Sequence, residues 1–261
     1  SIAASTLIGE AGARIDSGSG EGGLFGVSLQ GSMTVGGGGL TTVAIEGTIV
    51  NDAAVAMAAD GLNNNTAVID QRLLVRGGTS AAFQSTGSLT LDGSETGIQG
   101  EGASGSMISS LTNGVGHLIG GVGTLLDLDF VNDGVVRAVG GTLSLDGVIG
   151  SGTGLYDIAS DGVLALRDAS IAASTVRGQA GGRLEGTGAS GLFGASLEGA
   201  FTVGGGGNTS LFIEGTIVND AALSMTSDSL NNNTSVLDQR LFVEAGTAAT
   251  LAGVGSIELN G

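Results

Sequence analysis

The 261-residue chain has no cysteine, no proline and no tryptophan, and only one tyrosine and one histidine. Its eight basic residues are all arginine, so lysine is missing as well. Each absence excludes something. Without cysteine there is no disulfide staple and no thiolate metal site. Without proline every residue can donate to a backbone ladder, as strands bonded on both sides require. A single histidine, His117 in NGVGHLIGG, leaves a Ser-His-Asp relay or an imidazole zinc site almost nothing to work with; a turn or surface position is expected for it. A formal net charge of -17 lacks the positive footprint that phosphate backbones demand, which argues against nucleic acid or anionic membrane as partners. A long uncharged run, residues 104–126, is broken by serine, Asn113, His117 and many glycines. It reads as short strands and turns, with no membrane span.

What is abundant is glycine, 52 residues of it, alongside an apolar content of 41%. Glycine without proline and without a three-residue period is not collagen, and a chain this apolar is not a disordered linker. Self-similarity supplies the organisation. SIAAST at Ser1 returns at Ser170, GLFG at Gly23 returns at Gly191, and TVGGGG at Thr34 returns at Thr202. GTIVNDAA at Gly47 returns unchanged at Gly215, LNNNT at Leu62 returns at Leu230, and DQRL at Asp70 returns at Asp238. Residues 1–93 and 170–261 are therefore two copies of one unit, in register after a single deletion near Ser17, with residues 94–169 between them.

The intervening segment uses the same vocabulary at a shorter period. FVNDGVV at Phe130 echoes IVNDAAV, and GTLSLDG at Gly141 echoes GSLTLDG at Gly87 and GSIELNG at Gly255. In GTLSLDG, Leu143 and Leu145 face one way and Thr142, Ser144 and Asp146 the other; Val43 and Ile45 alternate in the same manner. From GTLSLDG through GVLALRD at Gly162 to GRLEGTG at Gly182 the motif advances by about twenty residues, one coil of a parallel β-helix. A helical bundle is excluded, because no 3.6-residue apolar period is sustained and glycine interrupts nearly every window. The expected fold is thus all-β, a single β-solenoid over 1–261 with about twenty residues per coil and about thirteen coils. Glycine supplies the positive φ of sharp corners, and Asn and Asp tolerate it. Asn51, Asp52, Asn132, Asp133, Asn219 and Asp220 are expected at corners, with asparagine amides laddering between neighbouring coils. Both ends match interior segments, which points to an excerpt of a longer array or to copies stacked end to end.

GTIVND, then GSLTLDG, then LTNGVGHLIGGVGTLLDLDFVNDGVVRAVGGTLSLDG resembles the repeats of large bacterial surface β-helix proteins, the autotransporter passengers and filamentous-haemagglutinin-like adhesins. The resemblance spans nearly the whole chain. It implies a right-handed parallel β-helix, an extracellular or cell-surface location, and a role in adhesion or matrix formation, with homotypic or surface partners. No leader is visible in SIAASTLIGE, and the family's membrane barrel is not in this sequence, so the export route stays open.

Few residues invite chemistry. Asp127 and Asp129 in LDLD, with Leu126, Leu128 and Phe130 alternating inward, would lie on one strand face like the paired carboxylates of glycoside-cleaving β-helix enzymes. Sugar-cleaving grooves carry aromatic platforms, whereas Tyr156 stands alone here. DQR suggests surface ion pairs, Asp70 with Arg72 and Asp238 with Arg240. Neither a Gly-Lys-Ser/Thr nor a helix follows TVGGGG, so it is no phosphate loop. No cofactor is called for; calcium is the one ion the acidic turns could hold, although no EF-hand loop or nonapeptide calcium repeat is present. Between the copies, Met33, Ala44 and Leu74 become Phe201, Phe212 and Phe242. By parity Phe212 and Phe242 lie opposite the inward Leu211, Ile213, Leu241 and Val243, which would make them an outer contact patch unless corners reset the parity. No catalytic, cofactor or metal residue is assigned. The expectation is a non-enzymatic structural or adhesive rod that can self-associate into filaments; the alternative is a polysaccharide-processing lyase, hydrolase or tailspike, and an ice-binding threonine ladder is too irregular to support.

Overall fold

The computed structural model describes residues 1–17, 21–59, 69–101, 108–205, 208–226 and 239–260. Among them there is no helix, and all the strands belong to one sheet in which every pairing is parallel. Each strand between the first and last described coils bonds its counterparts one coil below and one coil above, as in a parallel β-helix. Leu73, Ile98, Leu125, Leu145 and Leu166 form one inward column and Val55, Leu89, Ile119, Val136, Tyr156, Val176 and Leu197 a second. A third runs through Leu111, Phe130, Gly150, Ile171, Leu192 and Ile213. The three faces enclose one continuous apolar core. Stacking like on like is what keeps that core filled: every coil contributes side chains at one height, and none can bury its inner face alone.

The twenty-residue period holds through most of the rod: Leu24 pairs with Ile45 inside the first copy, and Leu143, Leu164 and Leu184 are direct ladder partners. It lengthens to thirty residues between Val43 and Leu73 and between Leu211 and Leu241. Following the ladder from first strand to last gives twelve levels, or roughly 55 Å of axial rise at the usual strand spacing.

One kind of corner recurs. A single residue with positive φ turns the chain from one face to the next, as at Ala4, Gly26, Asp127, Gly147, Asp168, Ala173 and Gly194. Its N–H donates to the carbonyl just before the equivalent corner of the next coil: Asp127 to Asp146 O at 2.9 Å, Gly147 to Arg167 O at 2.9 Å, Asp168 to Thr187 O at 3.0 Å. The left-handed residue also breaks the two-residue alternation. Inward residues flank it at a spacing of three, as Leu24 and Val27, Leu145 and Val148, Leu166 and Ala169. At Gly147 glycine is favoured twice over, because φ is +61° and a Cβ would push on Asp127 Oδ1 at 2.6 Å, although Asp and Ala take the same corner in other coils.

The two copies are not related by a translation along the axis. The ladder rising from Gly22–Phe25 passes through residues 43–46 and arrives, seven coils up, at Arg183–Thr187. The second-copy counterpart of Gly22–Phe25 is Ser190–Phe193, whose ladder descends through residues 47–50 on the neighbouring face. The second copy is therefore turned by one face relative to the first.

Candidate functional site

The residues repeated without obvious need are the polar ones of GTIVNDAA, and the structure assigns each a place. Along Thr41–Ala58, Ile49, Asn51, Ala53, Val55 and Met57 all point inward, so the alternation that builds the core carries an asparagine into it. A buried amide must find partners. Asn51 Oδ1 accepts the Ala53 N–H at 3.0 Å, and its Nδ2 donates to Ser88 O at 3.2 Å in the next coil. Asn219 repeats this with Ala221 N–H at 3.1 Å and Ser256 O at 3.4 Å. Asn132 donates to Leu155 O at 3.2 Å, and Asn113 to Val135 O at 3.1 Å. All four acceptors directly follow a glycine: Gly87, Gly134, Gly154 and Gly255. A Cβ on any of these would sit 2.3 to 2.5 Å from a backbone oxygen, so only glycine lets the next coil come this close. The aspartates beside three of the asparagines point out. Asp133 accepts the Thr153 N–H at 3.1 Å and Asp220 the Val254 N–H at 3.0 Å, and Asp52 accepts from the Ser85 hydroxyl. None of these three aspartates is left-handed; the aspartates that are, Asp127 and Asp168, belong to the other corner.

His117 lies in a turn, as expected, but its side chain is inside. Its ring is fully buried and stacks on Phe83, with centroids 5.0 Å apart and planes 6° from parallel. Nε2 lies 2.9 Å from Asn51 Nδ2 and Nδ1 lies 2.7 Å from Asn113 Oδ1. Asn113 Nδ2 in turn donates to Asn132 Oδ1 at 2.8 Å. Among the described residues the expected amide ladder thus links only Asn113 and Asn132, and Asn51 joins it through the histidine. Burial holds the imidazole pKa down at about 4, against 6.5 for a free side chain. The surface placement expected for His117 fails because its ring nitrogens pair with the Asn51 and Asn113 amides inside the core. Asn113 was not singled out from sequence, although the Asn-Gly pair it shares with Gly114 parallels Asn132-Asp133-Gly134.

The other candidates resolve differently. Asp127 and Asp129 do not share a strand face: Asp127 is the left-handed corner, Leu125 and Leu128 are the inward residues, and Leu126 is only half-buried. The Asp127 carboxyl titrates above its usual range, through burial and then the neighbouring Asp146 carboxylate. Arg72 does not reach Asp70; it donates to Thr42 Oγ1 and Gln99 Oε1, both at 3.0 Å, on the adjacent coils. The letter that matters in DQR is the glutamine. Gln71 shares inward parity with Leu73 and Val75, accepts the Gly37 N–H at 3.3 Å and donates to Gly39 O, pinning the TVGGGG loop. A Cβ on Gly36 would lie 2.1 Å from Gln71 Oε1, so in the first copy the two repeated motifs explain one another, and one on Gly204 would lie 1.9 Å from Gln239 Oε1, which places the same two motifs side by side in the second. Asp238 and both LNNNT segments lie outside the described residues.

Phe201 is in the core, as Met33 is. Phe212 and Phe242 do point outward and are half-buried, stacked edge to face on one another and on Phe193, with Arg240 over the Phe242 ring. Val243, expected inward, is exposed because the strand ends at Phe242. On the face outside Tyr156, Asp157 sits between Arg137 at 3.3 Å and Arg177 at 3.0 Å, one from each adjoining coil. Among the described residues no three His, Cys, Asp or Glu side chains gather as a metal site, and no helix is long and apolar enough to cross a membrane. Compared with protein-family models, with curated proteins and with solved structures, the chain finds no match in any of the three.

Proposed function

We propose that the protein is a structural and adhesive rod of a bacterial surface or secreted protein, acting outside the cell and without catalysis. The observation that carries this reading is the unbroken parallel ladder: one core and one sheet continue through every described coil, with the polar repeats consumed in joining coils to one another. A stack of this kind is stiff along its axis, because bending it would open backbone bonds and core contacts together. Its acidic surface keeps neighbouring rods from clumping side by side in solution. Adhesion, matrix formation and homotypic assembly are the uses the resemblance to surface β-helix repeats supports. Asp127 and Asp129 give an enzymatic reading no paired site, since a corner separates them.

The test has two parts. Electron microscopy of the purified chain should show rods about 20 Å wide and at least roughly 55 Å long; compact globules would overturn the rod. Beads coated with the chain should be retained on epithelial cells or on a bacterial matrix, and retention equal to albumin-coated beads would remove adhesion from the proposal.

A further inference from the structure

We infer that His117 is an acid-sensitive joint in the coil stack: the side-chain hydrogen-bond chain from Asn51 through His117, Asn113 and Asn132 closes only while the ring is neutral.

The direction of every bond in that chain is fixed by backbone. Asn51 must present Nδ2 to the ring, because its Oδ1 is occupied by the Ala53 N–H and its Nδ2 also serves Ser88 O. Asn113 must present Oδ1, because its Nδ2 serves both Asn132 Oδ1 and Val135 O. The imidazole is therefore held as the tautomer with the proton on Nδ1, donating to Asn113, and with the Nε2 lone pair accepting from Asn51. A second proton would go on Nε2 and face the Asn51 amide, a donor against a donor 2.9 Å away. Turning the Asn51 amide over does not relieve this, since Nδ2 would then face the Ala53 N–H and the bond to Ser88 would be lost. The conflict is built into the fold.

Among the described residues nothing charged stands ready to accept that proton or to hold an imidazolium. The strands Ser80–Gln84, Ser110–Asn113 and Leu118–Leu126 around the ring carry no ionisable side chain. Thr41–Ala58 carries Glu46 and Asp52, Ser88–Gly100 carries Asp92 and Glu95, Asp129–Asn132 carries Asp129, with Asp133 next to it, and Val135–Asp146 carries Arg137 and Asp146. Asp52 and Asp92 are exposed, and Glu46, Asp129, Asp133, Arg137 and Asp146 are partly so on the outer side; Glu95 lies past the Gly93 bend. None of these groups adds a charge effect to the ring's titration, which burial lowers.

The sign follows from linkage. The folded ring binds its proton at lower pH than the free side chain, so stability is full above about 6.5 and is lost as the pH falls from there towards about 4. The coils at stake are those that Asn51, Asn113 and Asn132 stitch together, between the first copy and the middle of the rod. Coils further along, around Val176 and Leu184, share none of these bonds.

Because the chain has one histidine, its ring nitrogens give unambiguous NMR signals. In the intact protein at pH 7 these should show the Nδ1–H tautomer, and the ring should titrate well below 6.5. A ring that titrates at or above 6.5, or the Nε2–H tautomer, overturns the proposal. Native-state hydrogen exchange, corrected for intrinsic rates, supplies the second measurement. Between pH 7.5 and pH 5 the protection of Ser110–Asn113 and Leu118–Leu126 should fall about 30-fold, whereas that of Thr175–Gly178 and Arg183–Thr187 holds. His117→Gln should lower protection at neutral pH and abolish the extra loss at pH 5. A loss that persists in that variant, or one that is uniform along the rod, would place the acid sensitivity elsewhere. Should His117→Gln fail to fold, the titration of the native ring decides alone.

Discussion

Of the residues that bring polar atoms into the core, Asn51 and Tyr156 are treated in opposite ways. Asn51 is fully buried and both ends of its amide are bonded, to its own strand, to the next coil and to His117. Tyr156 is equally buried, in the column that runs from Val55 to Leu197, yet its hydroxyl has no hydrogen-bond partner among the described residues. It reaches across the core to the opposite face, where an added Cβ on Gly150 would lie 3.1 Å from its oxygen. The asparagine is there for its bonds, and the tyrosine for its volume, filling the space that Gly150 leaves between Phe130 and Ile171. A buried polar atom in a repeat fold is thus no sign of a site in itself; what distinguishes the two is whether the neighbouring coil answers it.

The largest effect should come from breaking the approach that lets the next coil answer. Gly87 lies against the Asn51 and Ala53 carbonyls, where a Cβ would sit 2.3 and 2.6 Å from their oxygens. Gly87→Ala should cost about 3 to 5 kcal/mol, since neither obstacle is a side chain that can swing away. Gly140→Ala is the control: φ is +75° there, but a Cβ meets nothing within 4 Å, so only the left-handed strain of about 1 kcal/mol applies. Urea unfolding midpoints of the two variants check this, and equal losses would show that the close approach carries no weight.

Asn51→Ala should come next. It strands the Ala53 N–H, the Ser88 carbonyl and the His117 Nε2 inside the core, at a cost of about 3 kcal/mol. Asn219→Ala removes the same side chain from the same eight-residue sequence, but Asn219 is 6% exposed, its bond to Ser256 is long at 3.4 Å, and the one histidine of the sequence bonds Asn51 instead. About 1 kcal/mol is expected there. Coils open locally in a stacked fold, so hydrogen exchange of the flanking strands is the better measurement for this pair. Equal costs would mean that the histidine contributes nothing to holding Asn51.

How far this was legible from sequence depends on which interactions a residue's own strand determines. The coil period, the inward alternation of Leu143 and Leu145 and the outward parity of Phe212 and Phe242 are properties of a strand and its repeat, and they appear in the ladder as read. The corner at Asp127 was misread because one left-handed residue shifts the parity, and Asp is among the residues that take that conformation without glycine's signature. His117 was misplaced because what draws it inward is Asn51, 66 residues away, and Asn113, four residues away, and no local pattern joins the three. The pairing of DQR with TVGGGG was hidden for the same reason. Both motifs were visibly duplicated, but that one plugs the other becomes apparent only once Thr41 and Gln71 are ladder partners. Repetition marks which residues matter, and the stacking register says to whom.

The smallest effect tests the other half of the comparison and has the opposite sign. Tyr156→Phe keeps the ring that fills the space beside Gly150 and removes only the unanswered hydroxyl, whose burial raises its pKa far above the ordinary phenol range. Leaving a buried hydroxyl unbonded is unfavourable, so its loss should stabilise the chain by about 1 kcal/mol, seen as a higher urea midpoint with an unchanged slope. Tyr156→Ala, by contrast, should cost about 3 to 5 kcal/mol, because the cavity it leaves opens onto a glycine that cannot fill it. If Tyr156→Phe instead destabilises by 1 kcal/mol or more, the hydroxyl is bonded in solution. The core would then answer every polar atom it takes in, and the distinction between Asn51 and Tyr156 would collapse.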